Sequence, residues 1–105
     1  MIRVAYAVVH DGGPQVLLAE DIDVLQRLIA IRVVACTEPK RLRGGNVHMI
    51  REALLDERWG DAVAEWIEST GIAVDVYEDI EVWNEEFLAP DVTSFEIRAA
   101  PLFQV

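Results

Sequence analysis

Few side chains in this chain suit nucleophilic or metal chemistry: two histidines, His10 and His48, and a single cysteine, Cys36. Metal sites usually pair their ligands at short fixed spacings, such as two histidines four residues apart on a helix, and no such spacing occurs here. We therefore predict no catalytic residue, no metal site and no cofactor. Cys36 is expected to be a small, partly buried apolar side chain, since a Cys36–His48 nucleophile pair would require the fold to bring them together.

Glu78 is a carboxylate whose place in the sequence suggests acid–base chemistry. Residues 72–82 alternate in polarity, as in a half-exposed strand, and the apolar face comprises Ile72, Val74, Val76, Ile80 and Val82. Glu78 falls on that face, where burial would raise the pKa of its carboxyl group and make it a polar pocket residue. The competing interpretation is a β-bulge near residues 77–79 that turns Glu78 towards solvent.

Other carboxylates recur in two rows. Four share one face of a predicted helix and three lie on the polar face of the strand that follows: Glu57, Asp61, Glu65 and Glu68, then Asp75, Asp79 and Glu81. Such rows are typical of a solvated, solubilising surface, but they could also bind a basic protein. We predict these seven as partner-binding residues. No EF-hand loop for Ca²⁺ accompanies them.

The net charge of the chain is concentrated in one half. Residues 1–51 carry seven basic and five acidic side chains, a net +2, whereas residues 52–105 carry two basic and fourteen acidic ones, a net −12. The total of −10 disfavours direct binding to nucleic acid or to anionic membranes, which both require cationic patches. It favours a partner of opposite charge.

Length and composition predict a single domain over residues 1–105 in a cytoplasmic protein. One cysteine allows no internal disulfide, which fits a reducing compartment. The first apolar run, residues 4–9, is too short for a signal peptide, and no run approaches the ~20 residues of a membrane span. The apolar share of 52% is slightly above that of most soluble domains, which suggests that a homodimer or other homo-oligomer covers part of the surface.

The amino-terminal residues predict a β-hairpin followed by a helix. Residues 2–9 and 15–19 are apolar runs separated by a turn rich in glycine and proline. The first run is apolar on both faces, which is typical of a central strand or of one covered on both sides. Acidic residues 20–23 then open a helix that we expect to continue through residues 31–35, because no breaker interrupts it.

The clearest periodicity spans residues 46–69, where apolar side chains recur at spacings of three and four. One long helix explains this phase, and two helices meeting near Gly60 is the alternative, since an interior glycine costs ~1 kcal/mol relative to alanine. Trp59 and Trp66 lie seven residues apart on the apolar stripe, so we place them in the core or in a dimer seam. Leu102 and Phe103, in an apolar tail, are assigned to the same seam because their burial is favourable.

Residues 93–99 alternate in polarity and predict a last strand. The resulting order, ββααββ, predicts a two-layer α+β domain. It would have a mainly antiparallel sheet of about four strands, with a long helix and a shorter helix packed on one face. This order does not fit a doubly wound nucleotide fold, in which strands and helices alternate.

These observations favour a non-catalytic protein-interaction or regulatory module that acts as a homo-oligomer through its acidic carboxy-terminal half. Two alternatives stay open. One is a small-ligand-binding protein or minor enzyme with a pocket between sheet and helices. The other is an inhibitor of the antitoxin or immunity type, in which spaced carboxylates imitate the phosphates of a nucleic acid.

Overall fold

A computed structural model describes residues 1–104 and contains one antiparallel sheet of three strands. The strands are β1 (Ile2–His10), β2 (Pro14–Ala19) and β3 (Val74–Val82), in the spatial order β2-β1-β3. Four α-helices accompany them within these residues: α1 (Ile22–Ile29), α2 (Gly44–Leu55), α3 (Trp59–Thr70) and α4 (Ser94–Ala99). The α+β class and the antiparallel sheet are confirmed, but the predicted fourth strand and the order ββααββ are wrong.

β1 is the central strand, which explains why it is apolar on both faces. Its side chains facing the helices are small: Ala5, Ala7 and Val9 are each at most 2% exposed. Small side chains let the helices approach the sheet closely. The turn from β1 to β2 contains Gly12 and Gly13 with φ of +72° and +144°, a backbone region that other residues rarely adopt.

α1 begins at a side-chain cap and runs into a π-helical turn. The Asp21 carboxylate accepts a hydrogen bond from the Val24 N–H at 2.9 Å, which satisfies a free amide of the first turn. A π-helical turn (Ala30–Val34) continues α1 directly, as expected from the lack of a breaker there. Leu25, Leu28 and Ile29 of α1 are buried in the core.

The predicted single long helix over residues 46–69 is wrong, because a tight turn separates α2 from α3. Glu57 in this turn has a left-handed φ of +57°. The Arg58 N–H donates to the Ala53 carbonyl at 2.8 Å, a bond that reverses the chain instead of extending the helix. The two helices then pack against each other.

The alternative of two helices meeting near Gly60 is confirmed, with the turn at residues 56–58 and Gly60 in the first turn of α3. A Cβ at this residue would lie 3.3 Å from the side-chain oxygen of Gln26 on α1. The glycine therefore allows the start of α3 to sit close to α1.

The predicted last strand over residues 93–99 is also wrong, because these residues form α4. The Thr93 hydroxyl accepts from the Glu96 N–H at 3.1 Å, and the Glu96 carboxylate accepts from the Thr93 N–H at 2.7 Å. This reciprocal capping box satisfies two amide groups that would otherwise be free at the start of the helix.

The core lies between the sheet and the helices, and the carboxy-terminal tail reaches it. Leu102 is fully buried, and its N–H donates to the Ala35 carbonyl at 3.0 Å. Docking of the tail is thus confirmed at Leu102, whereas Val105 lies outside the described residues. None of the helices within residues 1–104 has the length and apolarity needed to cross a membrane.

Candidate functional site

A β-bulge in β3 decides where the side chains of this strand point. The register of β3 on β1 shifts so that Glu78 and Asp79 together lie opposite Ala5. Asp79 has a φ of +56°, a conformation that short polar side chains tolerate better than bulky ones. One extra residue inverts the alternation, so Ile80 and Val82 lie on the other face of the sheet from the apolar residues that precede the bulge.

The bulge confirms the interpretation in which Glu78 is turned towards solvent. The prediction that the apolar side chains of this strand share a single face is wrong. Glu78 is exposed. It lines an open groove of about 220 Å³ together with Arg3, Glu20 and Asp21. Its carboxylate is therefore not held among apolar side chains, and the groove is dominated by acidic groups.

The carboxylates of β3 are only partly neutralised. Arg3 approaches the Glu81 carboxylate to 3.3 Å and that of Asp79 to 4.0 Å, and His10 Nε2 lies 2.9 Å from the Asp75 carboxylate. These side chains are between 45% and 84% exposed, so the pairs are weak and screened by salt. The strand keeps an acidic surface, which we call the β3 acidic strip: Asp75, Glu78, Asp79 and Glu81.

The second predicted row of carboxylates lies on and just before α3. Arg58 donates to the Asp61 carboxylate at 3.0 Å, and this hydrogen bond raises the pKa of the Arg58 guanidinium. The Asn46 amide donates to Glu65 at 3.4 Å. α3 packs on α2 and α1, whereas β3 packs on β1, so the seven predicted partner-binding residues divide between two elements. We call the second group the α3 acidic row: Glu57, Asp61, Glu65 and Glu68.

The aromatic and tail residues assigned to a core or dimer seam lie in the core or pack against it. Trp66 is fully buried, and its Nε1–H donates to the Thr37 hydroxyl at 2.9 Å. That hydroxyl in turn donates to the Val33 carbonyl at 2.9 Å. Leu102 belongs to the same core, whereas Trp59 and Phe103 are partly buried and pack against it.

The side of the sheet opposite the helices is apolar. Nine side chains from the three strands form this open face: Ile2, Val4, Tyr6, Val8, Val16, Leu18, Tyr77, Ile80 and Val82. Within residues 1–104, none of them belongs to the cluster of buried side chains between sheet and helices or packs against it, although Val4 is itself buried. The Tyr6 and Tyr77 rings stack near the middle of the face, with centroids 4.7 Å apart.

Exposure differs across the open face. Val4 is only 2% exposed, but Val16 is 53%, Tyr77 44% and Ile80 36% exposed. Sequence reasoning missed this face because it placed Ile80 and Val82 on the same face as Val74 and Val76. The bulge that moves them has only a weak sequence signal, a charged residue out of phase at Glu78.

An ion pair that ties α4 to the π-helical turn was also missed. Arg32 Nε lies 3.0 Å from the Glu96 carboxylate, and Arg32 Nη2 donates to the Asp91 carbonyl at 3.2 Å. The Arg32 guanidinium, aided by the Thr93 N–H, lowers the pKa of Glu96 from 4.5 to about 2. The spacing of Thr93 and Glu96 is a local sequence signal for the capping box. The ion pair has no such signal, because Arg32 lies 64 residues from Glu96 in the sequence.

A groove of about 440 Å³ beside this ion pair is lined in part by Ile31, Cys36 and Phe95. The Cys36 Sγ donates to the Ile31 carbonyl at 3.3 Å. Cys36 is nevertheless an exposed residue, so the predicted partly buried side chain is wrong. The desolvation that remains raises the pKa of the Cys36 thiol, and the nearby Glu96 carboxylate raises it further. A protonated thiol is a poor nucleophile. His48 is exposed and lies 3.7 Å from Glu52 on its own helix.

In the part of the chain that the structure describes, no group of three or more His, Cys, Asp or Glu side chains is placed to hold a metal ion. The functional proposal rests on the chain's own surfaces, because no family model, no curated protein and no solved structure matches this chain.

Proposed function

We propose that this protein is a non-catalytic interaction module that presents the β3 acidic strip to a basic protein partner. The observation that supports the proposal most strongly is the exposure of this strip on an edge strand. Among the described strands β3 pairs with β1 alone, so its other backbone edge faces outward. A basic extended segment would find main-chain hydrogen-bonding groups and carboxylates along the same edge.

The bulge and the charges of β3 make this edge selective. An exposed edge strand can pair with almost any other strand, and proteins limit such pairing with bulges and charged side chains. Here the charges are all negative, so a second acidic strand is repelled whereas a strand rich in lysine or arginine is attracted. The edge therefore favours a basic partner over a second copy of itself.

Exposed aromatic side chains follow the strip directly. Trp83 is 85% exposed and Phe87 is 64% exposed. Tryptophan is enriched among the residues that contribute most to binding energy at protein interfaces. These two side chains would supply apolar contacts beside the charged ones.

The test compares two triple variants that carry the same net charge. Glu78→Gln with Asp79→Asn and Glu81→Gln removes three charges from the strip, and asparagine keeps the left-handed backbone at residue 79 accessible. Glu57→Gln with Asp61→Asn and Glu68→Gln removes three charges from the α3 acidic row. Each tagged protein is used at low salt to capture partners from the source lysate, followed by stepped salt elution and mass spectrometry.

We expect the original protein and the α3 variant to retain a stoichiometric basic partner that moderate salt releases, and the strip variant to lose it. Loss in the α3 variant alone would contradict the proposal and favour the phosphate-mimicking alternative. A partner that all three proteins bind equally, or that resists salt, would rule out an electrostatic interface on β3.

A further inference from the structure

We propose that the open face of the sheet binds the open face of a second copy of this chain, forming a two-fold symmetric homodimer with the two sheets face to face. This goes beyond binding of a basic partner, since it assigns a different surface and a different occupant. Two antiparallel sheets commonly pack in this way, about 10 Å apart, with the side chains of their inner faces interdigitated. A two-fold axis brings the same patch of both copies together, so one self-complementary face suffices.

The open face is suited to self-association because it carries little charge. The chain carries a net charge of −10, so most contacts between two copies would bring carboxylates together. On the open face the ionisable side chains are His10 and Asp75, whose Nε2 and carboxylate oxygen lie 2.9 Å apart at one end. Two copies can therefore meet at the middle of this face without opposing like charges. The carboxylate that a basic partner would find on this face is Asp75, which lies at that end.

The edges of the sheet are unfavourable for the same association. The outer edge of β3 carries the acidic strip and the bulge, so two β3 edges would repel each other and pair irregularly. On the other edge, the β2 strand begins with Pro14, and its Leu18 carbonyl already accepts from the Ala89 N–H at 2.9 Å. Self-association is therefore directed to the face.

The extent of the face suits a small dimer interface. Strands of nine, six and nine residues give a sheet about 30 Å long and about 14 Å wide, a flat footprint of about 400 Å² before side-chain relief is counted. A contiguous apolar patch of several hundred Å² is typical of an interaction site. Two such faces give a flat area of about 800 Å², which the relief of the side chains raises towards the ~1,200 Å² at which specific interfaces begin.

The decisive comparison uses two neighbouring residues of β3. Tyr77 lies on the open face and is 44% exposed, whereas Val76 points to the helix side and is 46% exposed. Tyr77→Glu and Val76→Glu thus add the same charge at similar exposure on opposite faces. Since Tyr77→Glu also removes the stacked ring, Val16→Glu, at an exposed residue of the same face, serves as the second variant.

Sedimentation equilibrium from micromolar to millimolar protein measures the dimer, and far-UV circular dichroism verifies that each variant folds. We expect the original protein and Val76→Glu to dimerise alike, and Tyr77→Glu and Val16→Glu to raise the dissociation constant at least about tenfold, because each places like charges in an apolar interface. As the salt concentration rises, the affinity of the original protein for a second copy should increase or stay unchanged, whereas its affinity for a basic partner should decrease. The proposal is overturned by a monomer at all concentrations, by a folded Val16→Glu that dimerises as tightly as the original, or by a Val76→Glu that weakens the dimer equally.

Discussion

Single residues in this protein join segments that are far apart in the sequence. Trp66 on α3 donates its indole N–H to Thr37, which follows the π-helical turn, and both side chains are buried. Arg32 binds Glu96 and the Asp91 carbonyl, and so attaches α4 and the segment before it. Because such contacts depend on the tertiary fold, the sequence predicts that Trp66 is buried but does not predict its partner.

Replacing Glu96 with glutamine should change how stability depends on pH. The Glu96 pKa is lowered from 4.5 to about 2 by Arg32 and the Thr93 N–H. A carboxyl group with a lowered pKa stabilises the folded state above its unfolded pKa, and this contribution is lost as the pH falls towards the folded pKa. Between about pH 4.5 and about pH 2, the free energy of unfolding should therefore fall more steeply in the original protein than in Glu96→Gln.

Urea denaturation at several pH values measures this difference. It should be modest, because the Glu96 side chain is 36% exposed and solvent screens the pair. Glu85→Gln, at an exposed carboxylate in a separate turn, serves as the control and should keep the original slope. Equal slopes for the original protein and Glu96→Gln would show that the Arg32–Glu96 pair does not stabilise the fold.

At the scale of secondary structure, the turn between α2 and α3 contains backbone strain. Glu57 has a φ of +57°, which costs most residues with a side chain ~1–2 kcal/mol. Glu57→Gly should relieve this cost and stabilise the protein by roughly 0.5–1 kcal/mol after the greater flexibility of unfolded glycine is counted. The measurement is the free energy of unfolding in urea.

Asp56→Gly is the matched control for this substitution. Asp56 directly precedes Glu57 in the chain and has an ordinary φ of −86°, so glycine there should destabilise the protein by roughly 0.5–1 kcal/mol. If both glycines destabilise the protein equally, the left-handed conformation at Glu57 is not a source of strain.

The helices and strands show which sequence signals are sufficient to predict an element of secondary structure. The hairpin and α1 were predicted because local patterns, turn residues and the Asp21 cap agree. One long helix was favoured over two helices because α2 and α3 bury their apolar sides in the same core and the spacing continues across the turn. Residues 93–99 were predicted as a strand because five of them alternate in polarity, whereas the capping-box spacing of Thr93 and Glu96, which indicates a helix, was overlooked.

The candidate surfaces were predicted only in part, because they too depend on contacts between distant segments. The sequence identifies the acidic residues, but their division between β3 and α3 depends on the tertiary fold. Arg3 neutralises Glu81 from the other end of the chain, a contact that no local pattern indicates. The open face depends on a single extra residue in β3, which moves Ile80 and Val82 to the other side of the sheet.

For the molecule as a whole, the concentration of negative charge in residues 52–105 should make stability depend on salt. Repulsion among these carboxylates destabilises the compact state, and added salt screens it more than it weakens the few exposed ion pairs. Raising NaCl from about 20 mM to about 300 mM shortens the Debye length from about 20 Å to about 6 Å. We expect the thermal midpoint to rise over this range.

The measurement is thermal unfolding by circular dichroism at low protein concentration, with the triple variant of the strip for comparison. That variant carries three fewer negative charges, so its midpoint should rise less with salt. A midpoint that falls with salt in the original protein would mean that its ion pairs outweigh the repulsion.

The pairing of β1 with β3 also constrains how the chain folds while the ribosome makes it. β1 is synthesised first, yet its second neighbour ends at Val82. Until that residue emerges, the central strand of the sheet has one edge unpaired. Contacts between such distant segments slow folding, because the long intervening loop must close first. The β1–β2 hairpin therefore forms early, and a nascent chain that stalls before Val82 exposes an apolar strand edge to chaperones and to other nascent chains.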